Sequence, residues 1–583
     1  TNIQALELRE QGALGAVDFD AFDANLASVL LRDEGAGATT FTLNDLGADL
    51  ASGGNIVLRH GITGHGVQTV TVNLKADTAN DTVAITVEND RNTGTTFNYT
   101  IDADVPTPTG KVDADQGVEN VTINDNDTET NVVTLTSAAE HKGTVTLTGG
   151  VAGQSYTVAS TLVAKTVDAA AQKSNLVLTV GKEDQAIKLG AGDDRLTFDG
   201  LDTFNGSDAI TDIGGTDTVR AAFSKDVTGT PELAGIENLH IVATANSTLD
   251  LAKGTDLTQL VLMSNEAVDE NNEVFSAGIA LGQVNLTDVI TLKNTKLSEV
   301  NFFGDEDATV AGTTVRTTQN FNGLTLENNT GDAVAVKIGA PLQNLTDLAG
   351  NGITAYNLGQ LTTHGVKDLS IAVSNEIANN AATTNIANIW DRDLVNLTLT
   401  ATGNVNVGTV TGNTVNSNIK TVNASAVGGN TTATVKALGD SAVVTLAAGN
   451  DVFTALGSAG NNGTIQAGEG KNIITGTAQS DYIYSGAGRD VIDANRGNNT
   501  VKSGAGDDTV SALNGSNTVD LGSGKADKVT FNYDTVGQQN LATNVVAGSG
   551  TSASINFDNN NDGAVDTVFG FAVGDGAEAS IKF

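Results

Sequence analysis

Residues 485–510 read SGAGRDVIDANRGNNTVKSGAGDDTV and contain the repeat that decides the fold. The tetrad Ser-Gly-Ala-Gly occurs twice in this stretch, eighteen residues apart, and a weaker copy, ANRGNNTV, lies between the two. The outer copies carry aspartates where the middle copy carries asparagines. The chain therefore combines a period of nine residues with an acidic period of eighteen, and one architecture must explain both.

The nine-residue period runs through the neighbouring sequence without a break. A large aliphatic residue recurs every nine positions at Ile474, Ile483, Ile492, Val501, Val510 and Val519. Two positions before each of them stand Asn472, Asp481, Asp490, Asn499, Asp508 and Asn517. This is the pattern G-G-x-G-x-D-x-U-x, in which about six residues form a turn and about three form a strand with the U side chain inside. Residues 441–530 are therefore predicted to form a β-roll.

The residue types in these turns suit a hard divalent cation. Glycine lets the backbone adopt left-handed conformations and turn its carbonyl groups toward one point. Aspartate adds an anionic oxygen, and calcium takes six to eight oxygen ligands in flexible geometry. The turns contain no histidine and the chain contains no cysteine, so no other common ion fits as well. The repeats are predicted to bind several Ca²⁺ ions.

Successive nonads alternate between the two edges of such a roll, which explains the period of eighteen. One edge is predicted to bind calcium through Gly468, Gly470, Asn472, Gly486, Gly488, Asp490, Gly504, Gly506, Asp508, Gly522, Gly524 and Asp527, the last after one extra residue. A single further copy of the motif stands upstream at Gly449 and Asp451. The other edge mostly lacks the first glycine and the acid, and we expect its asparagines to satisfy the backbone without a metal. Asp481, the acid that this edge keeps, is a further candidate ligand.

Three other acidic segments are candidates for metal binding. Residues 181–220 form a first repeat-like cluster with candidate ligands Gly190, Gly192, Asp194, Asp202, Asp208 and Asp217. Near the C-terminus, FDNNNDGAVDTV offers Asp558, Asn560, Asp562 and Asp566. This segment is similar to the first part of an EF-hand loop, but Phe569 occupies the twelfth position, so a calcium site and a polar hairpin turn are both open. INDNDTE (residues 123–129) is expected to be an acidic turn rather than an ion site.

Composition excludes several classes of function. The formal net charge of −39, from 30 basic and 69 acidic residues, argues against a nucleic-acid partner, which needs clustered cations. No apolar run approaches the roughly 18 residues of a membrane span, and the absence of cysteine excludes disulfides. Neither an H-E-x-x-H nor a G-x-S-x-G motif occurs, so we expect no enzymatic activity.

The rest of the chain predicts an all-β protein. Residues 1–180 hold short β-rich segments such as GVQTVTVNLKA and NVVTLTS between Gly/Asp/Asn turns, which predicts a β-sandwich-like region of stacked antiparallel strands. Residues 221–440 carry alternating segments such as IENLHIVA and VKDLSIAV at irregular spacings, which predicts a β-solenoid, with separate sandwiches as the alternative. Residues 531–583 form an acidic C-terminal region.

The nonads resemble those of the repeats-in-toxin (RTX) proteins exported by type I secretion. VENVTINDNDTETNVVTLTS, GIENLHIVA and FNGSDAITDIGGTDTV resemble strand segments of calcium-dependent surface-layer proteins of Gram-negative bacteria. This resemblance implies a secreted, extracellular structural protein that self-assembles into a lattice on the cell surface when it binds calcium. It implies export by the type I secretion machinery through an uncleaved C-terminal signal, which the tail ending in SIKF resembles.

The same resemblance implies attachment to lipopolysaccharide through a separate domain, which we do not find in this chain. The alternative is a secreted RTX adhesin, or a carbohydrate-binding or enzyme module on the same scaffold.

Overall fold

The computed structural model describes most of the chain. The described residues are 4–10, 15–22, 26–34, 37–53, 55–60, 67–75, 80–89, 96–104, 118–136, 141–263, 286–303, 318–339, 355–373, 383–413, 418–456, 462–513, 515–532, 544–547, 552–558, 567–572 and 579–582. They form two compact units. Unit 1 comprises Thr1–Val242, Leu249–Thr258 and Val274–Ala280, and unit 2 comprises Ala243–Thr248, Gln259–Glu273 and Leu281–Phe583.

Unit 1 is built from two sheets between which consecutive strands alternate. Sheet A contains β1 (Ala5–Glu10), β3 (Ser28–Asp33), β5 (Ile56–His60), β7 (Thr82–Asn89), β9 (Asn120–Asp125), β11 (Thr144–Gly149), β13 (Thr166–Gln172), β15 (Ala186–Lys188), β17 (Ala209–Thr211) and β19 (Glu232–Ala234). Sheet B contains β2 (Val17–Asp18), β4 (Thr39–Leu46), β6 (Gln68–Leu74), β8 (Phe97–Asp104), β10 (Asn131–Leu135), β12 (Ser155–Leu162), β14 (Asn175–Val180), β16 (Arg195–Leu201), β18 (Thr218–Phe223) and β20 (Asn238–Ala243). Two short helices, a 3-10 helix (Phe19–Ala21) and α1 (Ala48–Ser52), are the only ones among the described residues.

The strand pairs of unit 1 correct one prediction. Antiparallel strands were expected in residues 1–180, but the pairs there are parallel, as in β9 with β11, where Val121 lies opposite Val145. The alternation of apolar and polar residues shows which face of a strand is buried, but it does not show which strand is the partner. Each strand pairs with the strand two places further along the chain, so this region is also a solenoid.

Unit 2 has the same two-sheet construction. Sheet C contains β22 (Gln259–Met263), β24 (Glu299–Phe303), β27 (Ala333–Ile338), β29 (Asp368–Val373), β31 (Asn396–Ala401), β33 (Ile419–Val427), β35 (Leu438–Thr445), β37 (Gly463–Gln466), β39 (Asp481–Tyr484), β41 (Thr500–Lys502), β43 (Thr518–Asp520), β45 (Asn544–Ala547) and β48 (Ala579–Lys582). Sheet D contains β23 (Val289–Lys293), β25 (Thr318–Phe321), β26 (Gly323–Glu327), β28 (Ala355–Thr363), β30 (Thr383–Trp390), β32 (Asn404–Thr411), β34 (Thr431–Lys436), β36 (Val452–Leu456), β38 (Ile473–Thr475), β40 (Val491–Asp493), β42 (Thr509–Leu513), β44 (Asp527–Asn532), β46 (Ser552–Asp558) and β47 (Thr567–Ala572). The remaining strand, β21 (Ser247–Asp250), contains residues of both units.

Parallel pairing also dominates unit 2, and it confirms the predicted solenoid. The pairs β45–β48 and β46–β47 near the C-terminus are antiparallel. No helix in the described part of the chain is both long and apolar enough to span a membrane.

The nonad strands have the predicted core and register. All six aliphatic anchors, from Ile474 to Val519, are at most 1% exposed. Ile473 lies opposite Val491 and Val491 opposite Thr509, so neighbours within one sheet are eighteen residues apart. The predicted alternation of nonads between two sheets, with one turn of the solenoid every eighteen residues, is confirmed.

Candidate metal sites

The acids and asparagines of the nonads lie at two separate edges of the roll. We call the turns that lead into sheet D the acidic edge; they carry Asp451, Asn472, Asp490, Asp508 and Asp527. We call the turns that lead into sheet C the asparagine edge; they carry Asp481, Asn499 and Asn517.

Each side chain at the acidic edge is held by a backbone amide of the preceding turn. The N–H of Asp490 donates to Oδ1 of Asp508, and the N–H of Asp508 donates to Oδ1 of Asp527, both over 2.9 Å. Asn472 donates in the same way to Oδ1 of Asp490 over 2.8 Å. Upstream, Thr431 donates to Asp451 over 2.5 Å and Asp451 to Asn472 over 3.0 Å. This ladder fixes one oxygen of every carboxylate.

The second oxygen of each carboxylate has no hydrogen-bond partner. The atoms concerned are Oδ2 of Asp451, Asp490, Asp508 and Asp527, and these residues are at most 2% exposed. A buried carboxylate oxygen without a partner is costly, because the charged group has lost its hydration. A cation that bonds to this oxygen offsets the cost, so the four aspartates fit calcium.

Glycines bring successive turns of the acidic edge into close contact. A Cβ would lie 1.4–2.3 Å from a backbone oxygen of the preceding turn at every predicted glycine: Gly449, Gly468, Gly470, Gly486, Gly488, Gly504, Gly506, Gly522 and Gly524. At Gly506 the φ angle is also +145°, a conformation that side chains rarely tolerate. The stacked turns place carboxylates and backbone carbonyls close together in a region that no side chain could occupy.

Burial raises the pKa of the acids in these turns. It brings the pKa of Asp451 and of Asp527 to about 6. The pKa of Asp508 is raised by burial and, to a smaller extent, by the charge of Asp507, and the pKa of Asp490 by burial and by Asp508. Protons and metal ions therefore compete for the same oxygens near neutral pH.

The asparagine edge is satisfied by its own side chains. The same amide ladder runs here, from Asp481 to Asn499 over 2.9 Å and from Asn499 to Asn517 over 3.1 Å. Nδ2 of Asn517 donates to the carbonyl of Gly515 over 3.2 Å, and Nδ2 of Asn499 contacts three turn carbonyls at 3.3–3.4 Å. The amide nitrogen thus contacts carbonyl oxygens of the turn itself.

Asp481, a predicted ligand, lies on this second edge. Both of its oxygens accept hydrogen bonds from Thr477, from the backbone N–H over 2.7 Å and from the hydroxyl over 2.9–3.0 Å. Burial raises its pKa to about 6. Asn472, in contrast, is an asparagine on the acidic edge, and its amide donates to the carbonyl of Ser485 over 3.1 Å.

In the first cluster the structure brings two of the predicted acids together with a third. One oxygen each from Asp194, Asp212 and Asp217 lie within 4.8 Å of one another. The sequence reading missed Asp212, because it precedes the glycine pair of DIGGTD instead of following it. Gly190 and Gly192 approach the preceding turn closely, since a Cβ there would lie 2.3 and 2.5 Å from a backbone oxygen.

Two other predicted acids of this cluster lie elsewhere and have protein partners. Asp202 accepts hydrogen bonds from the backbone N–H and the hydroxyl of Ser224 and lies 3.6 Å from the Nζ of Lys225. Asp208 accepts the N–H groups of Gln185 and Asn205, over 3.0 and 2.8 Å.

The candidate loop near the C-terminus falls outside the described residues. Asn560, Asp562 and Asp566 lie in residues 559–566, and of Asp558 only the backbone, at the end of β46, is described. The calcium site proposed for this loop stays a prediction.

The INDNDTE segment is a buried corner between β9 and β10. Asp125, Asp127 and Glu129 are at most 6% exposed, and burial raises the pKa of Asp125 to about 7. Oδ1 of Asp125 accepts the N–H of Asp127 over 3.0 Å and the side-chain amide of Asn131 over 3.1 Å. Oδ2 of Asp125 is buried and has no hydrogen-bond partner, as at the acidic edge. The interpretation of this segment as an acidic turn stays a prediction.

The fold and these turns define a β-roll with oxygen-only cation sites. A family model described as the RTX calcium-binding nonapeptide repeat (4 copies) matches residues 456–492, 466–501 and 493–525. These repeats bind calcium ions, and proteins that carry them are typically secreted and extracellular. No curated protein and no solved structure matches the chain in the corresponding comparisons.

Proposed function

We propose that this protein is a secreted structural protein that folds on extracellular calcium and self-assembles into a two-dimensional surface layer. The observation that carries the proposal is the line of buried carboxylate oxygens without partners at Asp490, Asp508 and Asp527. These oxygens make the stability of the roll depend on calcium. The lattice part of the proposal is supported by the resemblance of VENVTINDNDTETNVVTLTS and related segments to surface-layer proteins.

Calcium concentration differs enough between cell compartments to act as a switch. A site with a Kd of about 0.1 mM stabilises the folded state by about 1.4 kcal/mol in about 1 mM calcium. Several such sites together reach the roughly 5–15 kcal/mol stability of a domain. At sub-micromolar calcium this contribution disappears and the acids repel one another. The roll would then remain unfolded during export, as passage through a type I secretion machinery requires.

An exposed apolar row on sheet D supports self-association. Ile473 and Val491 are 49% and 46% exposed and lie opposite each other on β38 and β40, with Val452 next to Ile473. Exposed apolar patches on soluble proteins commonly mark interaction sites. Both strands follow turns of the acidic edge, so the row forms only when the roll folds. A second copy of the chain is the proposed occupant of this surface.

The buried acids favour a structural protein over an enzyme. In the described part of the chain, the acids of the roll accept backbone amides at the ends of strands and support the turns. Attachment to cell-surface lipopolysaccharide is part of the same proposal.

Electron microscopy of the purified protein, before and after addition of about 1 mM calcium and with a chelator control, tests the proposal. We expect periodic sheets that dissolve in chelator. Folded but dispersed particles that bind glycan or convert a polysaccharide would favour the adhesin or enzyme module instead.

The double variant Ile473→Thr/Val491→Thr tests the apolar row itself. Threonine already occupies the same row at Thr432 and Thr509, so the strands should still form. The matched control is Tyr482→Thr, which removes an exposed apolar side chain from sheet C. We expect the double variant to bind calcium normally and lose the sheets, while the control keeps them. Sheets of unchanged order in the double variant would place the contact elsewhere.

A further inference from the structure

We infer that unit 1 contains a calcium site of its own, formed by Asp194, Asp212 and Asp217. One carboxylate oxygen from each of the three lies within 4.8 Å of the others, and Asp194 and Asp217 are at most 2% exposed. The site lies outside residues 456–525, to which the nonapeptide match extends. Asp212 occupies no acid position of the nonapeptide motif.

Three different segments supply the acids. Asp194 leads into β16, Asp212 follows β17, and Asp217 leads into β18. The N–H of Asp194 donates to Oδ1 of Asp217 over 2.8 Å, and the N–H of Leu176 donates to Oδ1 of Asp194 over 2.8 Å. The N–H of Gly214 donates to Oδ2 of Asp212. The backbone thus positions each carboxylate, as it does at the acidic edge of unit 2.

Two oxygens of the cluster are left without any donor. Oδ1 of Asp212 and Oδ2 of Asp217 are buried and unpartnered. The pKa of Asp217 is raised by burial and by the charges of Asp212 and Asp194, so its charged neighbours add to the cost of ionisation. Two acceptor oxygens close to each other require a positive charge between them, either a shared proton or a metal ion.

The number of carboxylates in the cluster favours calcium over a proton. Calcium binds carboxylate oxygens at about 2.3–2.6 Å, so two ligands on opposite sides of one ion are at most about 4.6–5.2 Å apart. Three oxygens that lie within 4.8 Å of one another can all bond to one such ion. A single shared proton links two of the oxygens and leaves the third carboxylate uncompensated. Zinc prefers nitrogen and sulfur ligands, which this cluster lacks.

The turns around the cluster stack as closely as the turns of the roll. A Cβ at Gly215 would lie 2.0 Å from the carbonyl oxygen of Gly192, and the φ angle of Gly215 is +151°. Gly214, beside it, has φ of +151° as well, with open space around it. Because of these two glycines, the turn that contains Asp212 and Asp217 packs directly against the turn that contains Asp194.

Calcium counting on the full chain, with Asp212→Asn as the variant, tests the site. Asparagine keeps one side-chain oxygen to accept the N–H of Gly214 and replaces the unpartnered oxygen with an amide nitrogen, which cannot bind calcium. The matched control is Asp193→Asn, the exposed neighbour whose Oδ1 accepts the N–H of Thr216 over 2.9 Å and would still do so as asparagine. Titration against a chromophoric chelator should show one calcium fewer per chain in Asp212→Asn and the wild-type number in Asp193→Asn.

Hydrogen exchange of the wild-type chain gives an independent readout if the variant fails to fold. Calcium should slow exchange at the amides of Asp194 and Asp217, and Asp212→Asn should abolish this response. An unchanged calcium count in Asp212→Asn, or no calcium response at these amides in the wild type, would overturn the site in favour of a shared proton. Neither readout depends on lattice formation, so failure here is distinct from failure of the proposed function.

Discussion

At the scale of single residues, the two edges of the roll differ in one side-chain atom. Asp508 and Asn499 both accept a backbone amide of the preceding turn through Oδ1. The other terminal side-chain atom differs. In Asp508 it is Oδ2, which has no hydrogen-bond partner, whereas in Asn499 it is the amide nitrogen Nδ2, which lies close to turn carbonyls. An aspartate at this position therefore needs a metal ion unless, as at Asp481, a neighbouring threonine donates to both of its oxygens.

The variant Asp508→Asn should lose one calcium ion per chain. The new side chain keeps the Oδ1 acceptor for Asp490 but loses the buried Oδ2. In about 1 mM calcium the free energy of unfolding should fall by about 1–2 kcal/mol, the contribution of one low-affinity site. Asp507→Asn is the control, because Asp507 is exposed and its Oδ1 accepts the N–H of Lys525. Equal calcium counts in the two variants would refute the assignment.

The reverse change, Asn472→Asp, should add a calcium ion. Asn472 stands at the ladder position of an acid, and its amide contacts the carbonyl of Ser485. An aspartate would replace this donor with an unpartnered oxygen, so the variant should be less stable than the wild type in chelator and bind one more ion in calcium. Calorimetric titration measures the count. A variant that is destabilised in chelator but gains no ion would speak against this reading.

At the scale of turns and strands, the stacking of glycines is the main steric requirement. The variant Gly506→Ala places a Cβ 1.4 Å from the carbonyl oxygen of Gly488, and no side-chain movement relieves a clash with backbone. We expect the roll to lose at least about 2 kcal/mol of stability in calcium, measured by chemical denaturation. In the control Gly153→Ala, φ is +83° but the surrounding space is open, so the loss should be about 1 kcal/mol. Similar losses would mean that backbone conformation, not stacking, dominates.

The raised pKa values predict that acid stabilises the calcium-free roll. Burial raises the pKa of Asp451 and Asp527 from an ordinary 3.8 to about 6, so between pH 4 and 6 the folded state binds more protons than the unfolded state. The free energy of unfolding in chelator should therefore fall as pH rises through this window, while calcium affinity should rise. The folded fraction of the roll in chelator, followed by circular dichroism at pH 5 and pH 7, measures the first effect.

The double variant Asp451→Asn/Asp527→Asn separates this effect from the general relief of negative charge. Both substitutions remove a carboxyl group with a raised pKa and keep an Oδ1 acceptor. The variant should lose part of the difference in folded fraction between pH 5 and pH 7. A difference equal to that of the wild type would show that net charge alone is responsible.

The sequence revealed the turns and anchors of the roll, but it did not reveal which strands pair in residues 1–180 or that Asp212 lies close to Asp194. The six aliphatic anchors and the eighteen-residue register follow directly from the nine-residue period of the sequence, because glycine and aspartate recur with the strands. The parallel pairing of residues 1–180 was not predicted, because alternation identifies the buried face and leaves the neighbouring strand open. Asp212 was missed because its contact with Asp194 depends on how two turns stack.

At the scale of the whole molecule, each unit buries its core between two sheets whose strands alternate along the chain. Such folds depend on contacts between adjacent turns, so their stability is approximately a sum over turns. A net charge of −39 opposes compaction at low calcium. Bound calcium offsets the repulsion between the acids in these turns, so folding depends on the calcium concentration of the surrounding medium. This dependence supports the proposal of assembly outside the cell.

The central claim is that calcium occupies the acidic edge of the roll and leaves the asparagine edge free. X-ray diffraction from crystals grown in calcium, with anomalous difference maps, tests it most directly. The account predicts peaks within bonding distance of Oδ2 of Asp490, Asp508 and Asp527, and none beside Asn499 or Asn517. Peaks along the asparagine edge, or none along the acidic edge, would contradict it.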